Sequence, residues 1–303
     1  MEQFRAYSPE DIILSNLAET SARHTAVFEQ ELAHLADLAR ELVQSQADST
    51  ELRSALPELR PTDPPLPPHL AQSREILSRL GLLHTAEQRL LLCREIQALL
   101  AGDVFSDPSE ALPDQNRVAY QKSTFTDTAF LQLSGLLDAP RAVYTSSFPA
   151  ACEEVFHESC DYCILPLENA TEGRLVGFTR LIDRFGLKIR ATVEVAGTGG
   201  DRSACFALLA RQVLWSNTGD CRLEIAFQPT GGASPAQILL AAELCGLTLD
   251  RIHTIPQDDH TDLLHAVFSN VGPSLPAFLL YLSMEVPQHT VVGVYPRLTL
   301  QKK

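Results

Sequence analysis

The stretch DYCILPLENATEGRL, Asp161 to Leu175, decides the fold of this 303-residue chain. Tyr162 to Leu167 is an unbroken apolar run of strand length, the pattern of a strand buried on both faces. Glu168 and Asn169 end the run, Thr171-Glu172-Gly173 follows, and helical spacing resumes at Arg174. Polarity therefore gathers at the carboxyl end of a buried strand. Outward from this point the same alternation repeats: RVAY precedes Phe125 to Leu137, AVYT precedes Phe148 to Glu158, and Arg174 to Phe185 precedes LKIRATVEV. Strands alternating with helices predict crossover units on a mainly parallel sheet. Ligands of such sheets bind beyond the carboxyl ends of the strands.

A helix opening near Gly173 leaves backbone N–H groups unpaired, with the positive end of the helix dipole behind them. Carboxylates and phosphates bind at such places. Asn169 and Thr171 add side-chain hydrogen bonds, Gly173 lets the backbone approach, and Glu168 and Glu172 can accept from a ligand hydroxyl. The loop Ser123-Thr124, after the first strand, is expected within reach of the same ligand. The alternative is that Thr171 or Glu172 merely caps the helix.

The chain carries 38 acidic and 24 basic residues, a formal net charge of -14, so no chain-wide field attracts nucleic acid or an anionic membrane surface. The start, MEQFRAYSPED, has neither a basic leader nor an apolar core after it, and no run is long enough to span a bilayer. A cytoplasmic protein is expected. Seven cysteines, mostly inside apolar runs, suit small buried hydrophobes in a reducing compartment. The CxxC pair Cys160 and Cys163 lacks a second pair, so it is read as a turn and a strand. No metal or cofactor is expected.

Before the alternating region, residues 1–105 read as a helical module. Ser8-Pro9-Glu10-Asp11 is a helix start, and Phe28, Leu32, Leu35, Ala39 and Leu42 keep an amphipathic spacing. Pro57 to Pro68 is a semi-rigid linker, and two further helices follow, His69 to Leu82 and one opened by the capping box Thr85 to Gln88. A second linker, 106–116, leads into the α/β region, 117–215. Residues 220–303 then read strand RLEIAFQ, helix Pro235 to Cys245, strands LTLDRIHTI and LLHAVFS, helix Ser274 to Met284 and strand HTVVGVYP. That order predicts a ferredoxin-like βαββαβ domain. Its two helices cover one sheet face and leave the other free to pair with a second copy, so a homo-oligomer is expected.

DYCILPLENATEGRL resembles the strand-loop-helix motif of the prephenate dehydratases, usually written DYGVLPIENSSEG. RVAYQKSTFTDTAFLQL is similar to that family's opening strand and loop, FPAACEEVFHESCDYC to the helix before the motif, and GLKIRATVEV to the strand after it. The last domain resembles the ACT domain that follows the catalytic domain, down to the closing VVGVYP. The resemblance spans about Asn116 to Arg297. It implies a periplasmic-binding-protein-like α/β domain, an ACT-like regulatory domain, and a place in phenylalanine biosynthesis, in which prephenate loses carbon dioxide and water to become phenylpyruvate. It also places the N-terminal helices where bifunctional members carry chorismate mutase, whose clamp of inward Arg and Lys residues finds no match here.

Departures from the family pattern shape the expected function. The family's chain crosses to a second lobe and returns at a Thr-Arg-Phe motif. Here only the nine residues AGTGGDRSA separate Val195 from Cys205, too few for a crossover unit. Matching Phe206 to the motif puts Ala204 and Cys205 in the Thr and Arg positions, which removes the hydroxyl that assists departure of the ring hydroxyl. The family's Gly-Pro-Glu-Gly-Ser loop is reduced to Lys122-Ser123-Thr124, although Lys122 and Arg174 can still hold a carboxylate. In the ACT-like domain the effector positions Gly231, Gly232, Ala233 and His253 stand where the family has Gly-Ala-Leu and Glu-Ser-Arg-Pro, with Ile255 in place of the Arg. Three functions remain open from the sequence: a catalytically degenerate relative that binds a small aromatic carboxylate or aromatic amino acid and regulates, a dehydratase whose cleft another subunit completes, and a structural assembly protein.

Overall fold

The structure, a computed structural model, describes residues 116–196, 203–213, 221–229, 233–257, 262–272, 274–286 and 288–298, with Gln30 and Asp37 as single helical positions. The expected helices and linkers of 1–105, the residues 106–115, and Gly231 and Gly232 lie outside the described residues. The first unit runs β1 (Arg117–Gln121), α1 (Thr124–Leu133), β2 (Arg141–Thr145), α2 (Phe148–Phe156), β3 (Tyr162–Asn169), β4 (Gly173–Arg174), α3 (Val176–Arg184), β5 (Lys188–Ala196) and β6 (Ser203–Ala210). The second runs β7 (Cys221–Phe227), α4 (Pro235–Leu244), β8 (Thr248–Pro256), β9 (Asp262–Ser269), α5 (Leu275–Glu285) and β10 (Thr290–Leu298).

Helix starts follow local chemistry. Ser123 caps α1 by accepting from the Thr126 N–H, and Ser147 caps α2 by accepting from the Ala150 N–H, with Pro149 in its first turn. Ser234 and Gln237 form a reciprocal capping box on α4. α5 is apolar all round, and Leu275 to Ser283 are buried without a break, as a helix enclosed on every side must be.

The sheet order is β2-β1-β3-β6-β5-β10-β7-β9-β8, with β4 folded onto β3. Within the first unit, the expected parallel pairing is confined to β2-β1-β3. β6 lies antiparallel between β3 and β5, because the short link from Ala196 to Ser203 permits a hairpin and forbids a crossover. The second unit has the order β10-β7-β9-β8, antiparallel throughout, which is the split βαβ arrangement expected of its sequence. β10 joins the units: its last residues, Arg297 and Leu298, pair in parallel with Thr192 and Val193 of β5. Gly293 makes the join sterically feasible, since a Cβ there would collide with the Ile189 carbonyl oxygen.

Cores form on both faces of the first sheet. One packs α1 against Val118, Tyr120, Ile164 and Val193, the other packs α2 and α3 against Ala119, Leu165 and Ile189. A third core joins α4 and α5 to Leu223, Ile225 and Phe227. The opposite face of the second sheet was expected to be free for a second copy. It is covered within the chain: Ala226, Val292 and Tyr295 belong to the core under α2 and α3, and Asp183 of α3 reaches His265 of β9. The physical reason is that this face carries charged groups at alternate positions, which find partners on α3, β3 and β4.

Candidate functional site between the two sheets

The turn after β3 closes on itself. Asn169 Oδ1 accepts from the backbone N–H of Thr171 at 3.0 Å and of Glu172 at 2.6 Å, and Gly173 takes a φ of +69°. The chain then returns as β4, pairing Gly173 with Asn169 and Arg174 with Glu168. The helix expected from Arg174 therefore starts at Val176, with Leu175 as its N-cap and no side chain capping it. Neither Thr171 nor Glu172 caps it, and the Asn169 carbonyl is already occupied. Continuing the pairing of Val118 with Tyr162, the end of β1 is level with Leu165, and Asn169 lies about 13 Å farther on. Ser123 and Thr124 share this sheet edge with the turn but stand at a different level, and the Ser123 hydroxyl is engaged in the α1 cap.

Glu168 points the other way, toward the second unit. Its carboxylate accepts from Arg251 of β8 at 2.6 Å and lies 3.7 Å from Arg174. Arg174 donates to Thr179 Oγ1 at 3.0 Å and to Glu224 of β7 at 2.5 Å. Glu224, fully buried, also meets His265 Nδ1 at 3.0 Å and accepts from the Tyr295 hydroxyl at 2.9 Å. His265 Nε2 lies 3.3 Å from Asp183. These groups polarise one another strongly. Burial alone would raise the Glu224 carboxyl, but Arg174, His265 and Tyr295 outweigh it and hold it down at about 2. Burial would lower His265, yet its bonds to Asp183 and Glu224 bring it up to about 9, so both ring nitrogens donate at neutral pH. Burial, reinforced by Glu224, pushes the Tyr295 hydroxyl well above its usual range.

Beside this network is a small cavity of about 20 Å³, reaching about 320 Å³ with the mouth that merges with solvent. Four arginines are among its lining residues, Arg174, Arg222, Arg251 and Arg297, together with Glu168 and Tyr295. Arg222 is held by Asp250 at 3.2 Å, and Arg297 donates to Glu194. The Arg297 Nε is buried with no hydrogen-bond partner. Cys205 also reaches the wall, and burial followed by the Glu168 charge lifts its thiol to about 11, so it is neither a nucleophile nor an acid near neutral pH.

Of the residues singled out by sequence, Glu168, Arg174 and Cys205 line this cavity. Ala233 is buried, and its N–H donates to the Glu285 carbonyl at 2.9 Å, so it is not free for a ligand carboxylate. His253 is half-buried on β8; burial, then Arg174, lowers its basicity, and its Nε2 has no hydrogen-bond partner. Ala204 and Cys205 of β6 stand opposite Asn169 and Glu168. Arg222, Glu224, Arg251, His265, Tyr295 and Arg297 were not anticipated. Their signal was the charged or polar residue at alternate positions of otherwise apolar strands, as in RLEIAF and LLHAVF. Among the described residues, no group of three His, Cys, Asp or Glu side chains is placed to hold a metal ion, and no helix is long and apolar enough to cross a membrane. Cys160 and Cys163 are buried free thiols.

No protein-family model matches this sequence, and no curated protein matches it. Solved structures do. The prephenate dehydratase of Streptococcus mutans is 16% identical with a TM-score of 0.49, over 60% of this chain and 98% of that one. The prephenate dehydratase of Arthrobacter aurescens, solved in complex with L-Phe, is 16% identical with a TM-score of 0.46, over 60% of this chain and 90% of that one. GqqA, described as a novel type of quorum quenching acylase, is 14% identical with a TM-score of 0.45, over 60% of this chain and 95% of that one.

Proposed function

We propose that this protein is a catalytically silent relative of the prephenate dehydratases that binds a small aromatic carboxylate or aromatic amino acid and acts in regulation of aromatic amino-acid biosynthesis. The observation that carries the reading is the β3–β6 register, which sets Cys205 against Glu168 and Ala204 against Asn169. At the end of β3, where the sequence resemblance calls for a hydroxyl and a guanidinium, this chain offers a methyl group and a neutral thiol. A positioned proton donor contributes about 10²- to 10⁴-fold to such a reaction. Tyr295 holds its proton too firmly to serve, and His265 is engaged by two carboxylates.

Binding capacity survives where catalytic groups do not. The guanidinium groups between the sheets match the bidentate geometry of a carboxylate. The βαββαβ unit is read as an ACT-like module, and the 117–215 unit as a single-lobed remnant of the dehydratase domain. Self-association, in this reading, uses surfaces other than the sheet face covered by α3. The test is a thermal-shift series with prephenate, phenylpyruvate, L-phenylalanine, L-tyrosine and chorismate, because a ligand selective for the native state raises the melting temperature by mass action. A saturable upward shift with at least one of them is expected. No shift with any of them, at millimolar ligand, overturns the binding reading.

A further inference from the structure

We infer that the cavity between the two sheets is a binding site for the head group of an α-amino acid, its carboxylate held by Arg297 and Arg222 and its ammonium by Glu168. The inference rests on the ligand-binding reading above and assigns that binding to a place and a charge pattern. Three observations carry it. First, the lining residues include four arginines and one glutamate, so both charges of a zwitterion have a residue of opposite charge at the cavity. Second, every arginine is already anchored by a carboxylate: Arg174 by Glu224, Arg222 by Asp250, Arg251 by Glu168 and Arg297 by Glu194. Each guanidinium has five donors, so several remain for a ligand, and the Arg297 Nε is buried with none of its bonding satisfied.

Third, the fixed charges balance. Four arginines face four carboxylates, and protonated His265 faces Asp183. A bare anion entering this partly buried site adds a charge with no counterpart, and such charges are costly. A zwitterion adds none. The enclosed volume suits carboxylate oxygens, since a single water needs about 10–15 Å³, and the side chain of the ligand lies in the mouth.

The discriminating ligands are L-phenylalanine, glycine and 3-phenylpropionate, which separate the ammonium from the aromatic ring, titrated calorimetrically into the full chain. The inference expects L-phenylalanine to bind at least tenfold more tightly than 3-phenylpropionate. It expects Glu168→Gln to erase that preference and Arg297→Gln to weaken the amino acid at least tenfold. Circular dichroism and melting checks that each variant is folded, and Arg222→Gln, at a partly exposed position, serves if Arg297→Gln is not. Equal binding of the amino acid and the plain acid overturns the inference. So does amino-acid binding that neither the Glu168 nor the arginine variants change, an outcome that leaves the ligand-binding reading standing. Glycine binding sensitive to these variants, with no aromatic ligand bound, supports the site and overturns the aromatic reading instead.

Discussion

At the scale of single residues, the turn and the buried network lose stability on substitution by different amounts. Asn169 carries the turn through two backbone hydrogen bonds, so Asn169→Ala should cost about 1–2 kcal/mol in urea unfolding. Thr171→Ala should stay within about 0.5 kcal/mol, although capping by Thr171 was one of the sequence expectations. Glu224→Gln leaves buried Arg174 with Glu168, 3.7 Å away, as its remaining carboxylate, and should cost on the order of 3 kcal/mol. The network also sets a pH window. His265 is raised from 6.5 to about 9, so its contribution is complete below about pH 6.5 and is lost as pH rises through 9. Glu224 is lowered from 4.5 to about 2, so its contribution is present above about pH 4.5 and is lost as pH falls through 2. Stability should therefore fall by on the order of 1–3 kcal/mol between pH 6 and pH 9.5, and His265→Gln should flatten that slope. A slope unchanged in the variant would place the titration elsewhere.

At the scale of elements, the order of strands and helices was legible and their neighbours were not. The run Tyr162 to Leu167 announced a buried strand, and the helical stretches read from Phe125, Phe148 and Pro235 begin within a residue of the observed helices, because both depend on local pattern. The insertion of β6 between β3 and β5 was not announced. An apolar run says that a strand is covered, not which strand lies beside it. The same limit hid the site. Period-two alternation puts Arg222 and Glu224 on one face of β7, and a face rich in charge reads as solvated. α3 together with β3 and β4, packed over it, turns that face into an interior. Gly293 is the residue on which the β10–β5 join depends, and Gly293→Ala should cost about 1–3 kcal/mol by overpacking against the Ile189 carbonyl. An unchanged denaturation midpoint would mean that the two strands separate more easily than their register implies.

At the scale of the whole molecule, two sheets joined through β10 place a charged seam where each unit alone would expose a polar face. Asn169 to Gly173 of the ENATEG stretch shape the turn after β3, while the cavity is lined by Glu168 and Arg174 of the first unit and by Arg222, Arg251, Tyr295 and Arg297 of the second. The proposed retention of binding and loss of chemistry are tested together by one experiment. The full chain is mixed with prephenate and L-phenylalanine at neutral pH and followed by saturation-transfer proton NMR. Transfer from protein to at least one ligand is expected, while phenylpyruvate accumulates no faster than in buffer. Phenylpyruvate formed in proportion to protein concentration, at turnover approaching roughly 1 to 10³ per second, would contradict the proposed loss of chemistry.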